Sequence, residues 1–313
     1  MKQLRYNDYG GIDKMYLAEV ETPEPSPEEI LVEVKAAGIN PIDWKIRNAH
    51  MKMADGHLWP RRMGLEFAGV VRKVGSRVTN FEAGDEVFGA VSLKVMGAMA
   101  DAMLVTADQI HIKPPSLSMS EAGGLPLIGA TAYQALREKV DLRGQEVLIN
   151  GGSGGVGNMA IQLARMDNAT VTAVAGPHHQ EIMRELGASR TVNYETTDVT
   201  TEDHRYDVIL DTAGTLPWSK AKHLLNEHGT YINLQPGMTS YISSFVNNKL
   251  NDKKHVPMLT DITHHSLHQL YDLVEEHGLK VKIGREFALM EYAKAYRELE
   301  ETGGPAGKCV FIP

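Results

Sequence analysis

Cysteine is almost absent from this sequence of 313 residues. With the one cysteine, Cys309, the chain cannot form an internal disulfide, and a zinc site built from thiolates would need more sulfur. Cys309 stands in the apolar run "CVFI", which favours a small core residue over a nucleophile. This cysteine usage is typical of a reducing compartment.

Long apolar runs and an excess of basic charge are also missing. No stretch approaches the ~18 apolar residues of a membrane span, and the first residues, "MKQLRYNDYG", lack the apolar core of a signal peptide. The chain has 32 basic and 40 acidic residues and a net charge of -8, which disfavours a nucleic-acid partner. We therefore predict a cytoplasmic protein with neither a membrane nor a nucleic-acid partner.

The character of the sequence changes near residue 122. Before it, short runs such as "ILVEVKAAGI" and "FAGVVRKVG", separated by Gly and Asp, predict a β-rich barrel or sandwich. After "KPPSLSMSEAGGLP", in which Ser118 or Ser120 would cap a helix, apolar strands alternate with helices. This alternation predicts an α/β fold with a parallel sheet covered on both faces. The predicted domains are 1–122, 123–262 and a C-terminal part, 263–313, that rejoins the first domain.

The alternating part predicts a series of strands and helices. In chain order they are strand "EVLIN", helix "GNMAIQLARM", strand "TVTAVA", helix "HHQEIMRELG", strands "TVNY" and "YDVILDTAG", helix "PWSKAKHLLNEHG" and strand "TYINLQ".

The stretch "GGSGGVG" after "EVLIN" contains a G-x-G-x-x-G pattern. The pattern is weak alone, but a strand before it and an amphipathic helix after it are typical of a dinucleotide site. Gly152 would permit the tight turn, Gly154 the approach of a pyrophosphate and Gly157 close helix packing, while the helix N-terminus offers free N–H groups to the anion. The residues expected to bind the cofactor here are Gly152, Ser153, Gly154, Gly155, Val156 and Gly157.

The end of the next strand bears on the choice of dinucleotide. NAD sites usually place Asp or Glu there, about 20 residues on, to bond the ribose 2′-hydroxyl. Here that place falls near Gly176 and has no carboxylate, while His178 and His179 follow it. The pattern favours NADPH, with NADH the less favoured cofactor, although both histidines would also suit an exposed helix start.

Two other motifs do not predict a site. "THHSLH" places His264 and His268 one helical turn apart, as a metal-binding pair would be, but no third ligand follows from the pattern and a solvated helix face is favoured. "GGPAGKC" lacks the spacing of a phosphate loop.

Several motifs together resemble one family. "AAGINPIDWKIR", "GLEFAGVVRKVGSRVTNFEAGDEVFG", "LPLIGATAYQAL", "VLINGGSGGVGNMAIQLA", "LGASRTVNY", "YDVILDTAG" and "GKCVFIP" occur in this order over nearly the whole chain. They are similar to the zinc-independent quinone oxidoreductases, the zeta-crystallin-like branch of the medium-chain dehydrogenase/reductases. The resemblance implies a GroES-like catalytic domain split around a Rossmann domain, an active site in the cleft and a homodimer.

The resemblance also implies roles for single residues. Zinc-dependent relatives have Gly-His-Glu where this chain has Gly64-Leu65-Glu66, so no catalytic zinc is expected. Asn40 and Asp43 would line the nicotinamide cleft, with Asn40 as the positioning residue. The further cofactor contacts implied are Thr131, Gly176, His179, Tyr194 and Gly214.

These features predict an NADPH-dependent oxidoreductase that transfers a hydride to a quinone or a similar activated carbonyl. One alternative is reduction of enones, 2-alkenals or enoyl thioesters, for which Tyr133 is a candidate acid. Another is an NADPH-binding protein without turnover. The segment 48–63 is expected to shape the acceptor pocket.

Overall fold

The computed structural model describes residues 1–51 and 59–313, without the side chains of Met238 and Thr239. Contacts divide the chain into two compact units: unit 1 comprises Met1–Leu127 and Ile262–Pro313, and unit 2 comprises Ile128–Asp261. The domain limits drawn from the sequence stay a prediction.

The elements are numbered along the chain. The strands of the described residues are β1 Lys2–Tyr6, β2 Met15–Glu19, β3 Glu29–Ile39, β4 Arg61–Arg62, β5 Glu66–Val74, β6 Glu86–Ala90, β7 Ala102–Thr106, β8 Ile110–Ile112, β9 Glu146–Asn150, β10 Thr170–Ala175, β11 Arg190–Asn193, β12 Tyr206–Asp211, β13 Leu225–Asn233, β14 Lys254–Pro257, β15 Ile283–Ala288 and β16 Lys308–Ile312. Their α-helices are α1 Pro41–Arg47, α2 Met119–Tyr133, α3 Gly155–Met166, α4 Gln180–Glu185, α5 Trp218–Leu224, α6 Met238–Leu250, α7 His264–Glu275 and α8 Tyr292–Thr302.

Unit 1 is β-rich. Its main sheet has the order β15-β16-β3-β5-β6-β8, with β7 paired to β3, and a smaller sheet has the order β2-β1-β4. The last strand, β16, pairs antiparallel with β3 of the N-terminal part. Aromatic side chains fill the core, because Phe67, Tyr296 and Phe311 are each fully buried in one hydrophobic cluster.

Unit 2 has a six-stranded sheet in the order β11-β10-β9-β12-β13-β14, and every pairing in it is parallel. Counted from β9, this is the 3-2-1-4-5-6 order of a doubly wound sheet, which confirms the predicted fold class. The strands are apolar on both faces because helices cover both, and Leu148, Val174 and Ile209 lie in the core of the unit.

Helix starts and ends follow the sequence in most places. Of the two candidate caps for α2, Ser118 is the one used: its Oγ accepts from Glu121 N at 3.3 Å and donates to Glu121 Oε2 at 2.7 Å. The helix predicted over "PWSKAKHLLNEHG" is wrong in its second half. Helix α5 ends at Leu224, and Leu225 already pairs with Tyr206 of β12.

Candidate functional site

The carboxyl ends of β9 and β12 form the switch point of the unit 2 sheet. The two strands are neighbours, with Asn150 opposite Asp211, and each runs directly into a loop. Thr212 ties the loops together, because its hydroxyl donates to the carbonyls of Asn150 at 2.8 Å and Gly151 at 3.1 Å. Ligands of doubly wound sheets bind where the strand order reverses, so this edge is the candidate site.

The tight turn of the glycine loop occurs at Gly151 rather than at Gly152, where the sequence placed it. Gly151 has φ +89°, a left-handed conformation that favours glycine. Gly152 is buried, and a Cβ there would lie 2.8 Å from Met183 Sδ and 2.9 Å from Ala173 Cβ. Gly152 therefore provides space for packing, and the positive φ belongs to the residue before it.

Helix α3 begins directly after this turn. Its N-cap is Gly154, and no side chain caps the first turn, so the leading N–H groups are available to an anion. A Cβ at Gly157 would overlap the carbonyl oxygen of Gly151, which explains how closely the helix approaches the loop. The Asn158 amide donates to Gly152 O at 2.9 Å and holds the loop in place. Ser153, Gly155 and Val156 are half-buried around the helix start.

Thr131 lies on the helix that precedes β9. Its hydroxyl is 2.7 Å from that of Thr260, and the residue is 7% exposed. One turn earlier on α2, Ile128 Cγ2 lies 2.9 Å from the position that a Cβ of Gly155 would take. The structure thus brings this end of α2 against the glycine loop.

The end of β10 is open and uncharged. Gly176 follows the strand in an extended conformation, and Tyr194 OH lies 3.2 Å from the place of a Gly176 Cβ. Tyr194 is 62% exposed, and its backbone N–H bonds to Ala175 O. His179, half-buried, ends the short 3-10 helix after Gly176. The structure therefore gathers Gly176, His179 and Tyr194 at one strand end.

Asp211 organises the loop that contains Gly214, and the sequence interpretation missed it. Its buried carboxylate accepts from Asn150 Nδ2 at 2.8 Å, from the N–H groups of Gly214 at 2.9 Å and Leu216 at 3.1 Å, and from Tyr231 OH at 3.3 Å. Burial and this carboxylate raise the pKa of Tyr231. An Asp at the end of an apolar strand, as in "VILDTAG", was the available signal.

In unit 1, Asn40 and Asp43 belong to a buried polar cluster with Glu66 and Lys308. Lys308 Nζ lies 2.6 Å from Glu66 Oε1 and also donates to Asn40 Oδ1. Asn40 Nδ2 donates to Glu66 Oε1 at 2.7 Å, and Leu127 N donates to Glu66 Oε2 at 2.6 Å. Since all four side chains are at most 3% exposed, the cluster holds three elements, α1, β5 and β16, in one arrangement.

Asp43 faces the interior of unit 1. Its Oδ2 accepts from Asn40 N at 2.8 Å, its Oδ1 is buried, and the residue is 0% exposed. Burial raises the pKa of this carboxyl to about 7. Its hydrogen bond to the Asn40 backbone holds the residue that begins α1 in place.

The segment at Gly64-Leu65-Glu66 does not fit a catalytic zinc. Leu65 is an apolar side chain, 4% exposed, packed with Ile46 and Met96. Both carboxylate oxygens of Glu66 already accept hydrogen bonds. Burial raises the pKa of the one cysteine, Cys309 of β16, which disfavours the thiolate that would bind zinc. Residues 52–58 of the segment 48–63 lie outside the described part of the chain, so the role of this segment in shaping the acceptor pocket stays a prediction.

The chain is similar to known proteins over its whole length. The alcohol dehydrogenase GroES-like domain matches residues 26–115, and the family described as zinc-binding dehydrogenase matches residues 186–311. The chloroplastic quinone-oxidoreductase homolog of Spinacia oleracea is 33% identical, covering 100% of this chain and 98% of that protein. The chain belongs to the quinone oxidoreductase family of the medium-chain dehydrogenase/reductases. As the sequence motifs implied, it is an oxidoreductase with a GroES-like and a Rossmann part.

Solved structures of the quinone oxidoreductase family have the same fold. The enzyme from Coxiella burnetii has a TM-score of 0.89 at 32% identity and covers 100% of this chain and 99% of its own. That from Escherichia coli, complexed with NADPH, has a TM-score of 0.88 at 25% identity and covers both chains fully. A further relative, the NADPH-dependent alkenal/one oxidoreductase of Arabidopsis thaliana, is 34% identical over 76% of this chain and 64% of that protein.

The cytoplasmic location expected from the sequence is wrong. The quinone-oxidoreductase homolog of spinach and the alkenal/one oxidoreductase of Arabidopsis are both named chloroplastic. Composition and a single reduced cysteine do not distinguish the cytoplasm from an organelle interior. Among the described residues, no helix is both long and apolar enough to cross a bilayer.

Proposed function

We propose that this protein transfers a hydride from NADPH to a quinone or a similar activated carbonyl acceptor. The observation that supports this most is the glycine loop at the β9–β12 switch point, with the uncapped start of α3 beside it. The E. coli relative of the same fold is complexed with NADPH.

The residues of unit 2 fit a dinucleotide. The N–H groups at the start of α3 and the loop residues Gly152, Ser153 and Gly154 would hold the pyrophosphate. A Cβ at Gly154 would have only Gly151 O near it, at 3.6 Å, so the space above this residue is open. Thr131 and Gly214 would lie toward the nicotinamide. The bound cofactor supplies the hydride.

The end of β10 favours NADPH over NADH. A carboxylate there would repel a 2′-phosphate, but residues 175–180 contain no Asp or Glu. Because Gly176 has no side chain, the space beside the hydroxyl of the exposed Tyr194 is free for a phosphate. His179 lies in the short 3-10 helix that follows Gly176. We propose that Tyr194 and His179 donate hydrogen bonds to the phosphate.

Affinities for NADPH and NADH, compared in the wild type and in His179→Ala, test this assignment. The variant should lose affinity for NADPH and keep its affinity for NADH. An equal loss for both cofactors would contradict a 2′-phosphate contact.

The acceptor must be electrophilic without help from a metal. With Leu65 in place of a histidine ligand and both oxygens of Glu66 bonded, we propose that the reaction uses no catalytic zinc. A quinone needs one hydride and one proton to become a hydroquinone, and water can provide the proton. Asn40, whose amide is already bonded to Glu66 and Lys308, is then a positioning residue rather than an acid or base.

The Gly154→Ala variant tests the proposal at the cofactor. Gly154 has φ -74° and ψ 170°, so an alanine fits the backbone, while its methyl group would occupy the space left for the pyrophosphate. We expect NADPH affinity to fall by about tenfold or more, or ~1.4 kcal/mol, with an unchanged Tm. Gly157→Ala is the contrasting variant, because its methyl group would overlap the Gly151 carbonyl and lower the Tm.

NADPH consumption with a panel of quinones and a panel of 2-alkenals tests the reaction. Turnover with quinones supports the proposal. Tight NADPH binding without turnover on any acceptor would replace it with a non-catalytic NADPH-binding role.

Enone or 2-alkenal reduction is the second candidate, favoured by the relative named an alkenal/one oxidoreductase. Preference for 2-alkenals in the same assay would establish it. A Tyr133→Phe variant then asks whether the phenol that the sequence singled out as a candidate acid affects kcat.

We also propose that the protein is a homodimer. Strand β14 is an edge of the unit 2 sheet, and α6 packs against it. The exposed residues of α6 include Ile242, Phe245, Val246 and Leu250, which are 52% to 76% exposed. An apolar helix face beside an open strand edge is a surface that a second copy would cover.

A further inference from the structure

Two side chains near the end of α2 hold the loop that follows β14. Gln134 Nε2 donates to Asp261 O at 2.5 Å, and Asp261 N donates to Gln134 Oε1 at 3.3 Å. Next to this pair, the hydroxyl of Thr131 lies 2.7 Å from that of Thr260. These contacts, which we call the clasp, join segments that are 127 and 129 residues apart in the sequence.

The helix directs both side chains to the same stretch of chain. Thr131 and Gln134 are three residues apart, so they lie on one side of the helix, and their partners Thr260 and Asp261 are consecutive. Gln134 also begins a π-helical turn, Gln134–Glu138, that continues α2. Turns of this kind are rare and are often found at functional sites. One face of the helix end thus holds two successive residues of the loop.

The other end of the loop is tied to the sheet. Met258 N donates to Asn233 O at 2.9 Å, next to the parallel pairing of Asn233 with Pro257 at the ends of β13 and β14. Because the pairings between β9 and β14 are all parallel, these ends lie at the same edge as the end of β9, where the glycine loop begins. The loop of residues 258–261 is therefore held at both ends on the edge where the dinucleotide would bind.

In the proposed cofactor orientation, the clasp is at the nicotinamide end. In the sheet order, β14 and β10 are on opposite sides of β9. Gly176, after β10, is the place proposed for the 2′-phosphate, whereas Thr131 is expected near the nicotinamide. One turn before Thr131, Ile128 packs against the glycine loop at Gly155. Movement of this helix end would shift Thr131 relative to the loop that holds the pyrophosphate.

We propose that Gln134 is a positioning residue for the nicotinamide half of NADPH, an inference that rests on the proposed function. Its amide orders the loop and Thr131 before the cofactor binds, so that less conformational freedom is lost on binding. A rigid nicotinamide site also keeps the hydride donor aligned with the acceptor. Gln134 bonds to the backbone of Asp261, so it acts through the loop and is not a catalytic residue.

The Gln134→Met variant removes both amide hydrogen bonds and keeps the length of the side chain. We expect the Kd of NADPH to rise about three- to tenfold, because two hydrogen bonds of modest net strength are lost. The Kd of adenosine 2′,5′-bisphosphate, which carries the 2′-phosphate and no nicotinamide, should stay the same. Fluorescence titration with NADPH and competition by the bisphosphate measure the two constants. A quinone assay should show a higher KM for NADPH and a lower kcat.

Gln109→Met is the matched control. The side chain of Gln109 is also half-buried, and its Oε1 accepts from a backbone N–H, that of Thr106, at 3.0 Å. Gln109 belongs to unit 1 and to none of the proposed cofactor contacts, so its variant should leave both constants unchanged. Thr260→Val breaks the hydroxyl pair of the clasp and keeps a branched side chain, and it should give the same selective loss. It tests the inference if circular dichroism shows that Gln134→Met does not fold.

The two dissociation constants separate the outcomes. A rise in the Kd of NADPH alone supports the role of Gln134. Unchanged NADPH affinity in Gln134→Met and Thr260→Val would overturn it and leave the proposed function standing. Equal losses for NADPH and the bisphosphate would also overturn it, since they indicate a general loss of structure at the cofactor site. A wild type that binds neither compound would refute the proposed function, and this inference would fall with it.

Discussion

Asp43 makes the stability of the protein depend on pH. The carboxyl is fully buried, and burial raises its pKa from 3.8 to about 7. The folded protein therefore binds this proton more tightly than the unfolded chain. The stabilising contribution of the protonated form is complete below pH ~4 and is lost as the pH rises through about 7.

The Asp43→Asn variant should remove this dependence. An asparagine Oδ1 can still accept the hydrogen bond from Asn40 N, so the packing is kept. Between pH ~4 and ~7 the wild type should lose stability relative to the variant by at most about 1.4 kcal/mol per pH unit. Urea unfolding at several pH values measures the difference, with Asp252→Asn, an exposed carboxylate, as control. Parallel pH profiles for wild type and Asp43→Asn would refute this account of Asp43.

We expect the residue at position 176 to decide the preference between NADPH and NADH. Its backbone, with φ -69° and ψ 169°, accepts any L-residue, and the nearest side chain, that of Tyr194, is exposed and can move. Gly176→Asp should lower NADPH affinity at least about tenfold and improve NADH binding, because a carboxylate repels the phosphate and accepts from the ribose 2′-hydroxyl. Fluorescence titration with both cofactors measures this. Gly176→Asn is the uncharged control, and equal effects of Asp and Asn would rule out the electrostatic explanation.

The roles of some single residues could not be predicted from the sequence. The glycine pattern located the loop, but it could not tell that Gly151 has the positive φ and that Gly152 fills a packing role. Asp43 was assigned a cleft position from the resemblance, while the structure buries it. Such distinctions depend on neighbours distant in sequence, such as Met183 beside Gly152.

Among the elements, periodicity predicted most of the strands and helices of unit 2. It failed at "LLNEHG", which was included in the predicted helix although α5 ends at Leu224. Leu225 instead pairs with Tyr206, and the register shifts before Thr230 pairs with Val208. Strand pairing outweighed the local helical pattern there, and a single sequence does not reveal that pairing.

Lys308 connects three elements, and its loss should be costly. Removing it in Lys308→Met leaves the Glu66 carboxylate buried without its cation, although Asn40 and Leu127 still donate to it. Breaking a buried pair in this way costs about 3–5 kcal/mol, whereas exposed pairs contribute about 1 kcal/mol or less. Chemical denaturation should show the large loss of stability for Lys308→Met and a small one for Lys294→Met, because Lys294 is exposed and its partner Glu291 is half-buried. Similar losses in the two variants would mean that burial does not set the strength of the Lys308 pair.

For the molecule as a whole, the sequence predicted the doubly wound sheet because alternating strands and helices allow few topologies. Contacts between residues far apart in the sequence could not be predicted from it. His111 joins the α7 histidines only because β8 lies against α7 in the fold. The exposure of the apolar face of α6 also could not be predicted, since the same residues would suit a buried helix.

That exposed face leads to the prediction for the whole molecule. If a second copy covers α6 and the β14 edge, one charge in the face should separate the copies, because burying an unpaired carboxylate in an apolar interface is unfavourable. Phe245→Glu, at a residue 63% exposed, should therefore convert a dimer to a monomer in light scattering coupled to gel filtration. Met290→Glu, at a residue 67% exposed in unit 1, should leave the dimer intact. A monomeric wild type would end the dimer proposal, and a Phe245→Glu dimer would place the interface elsewhere on the chain.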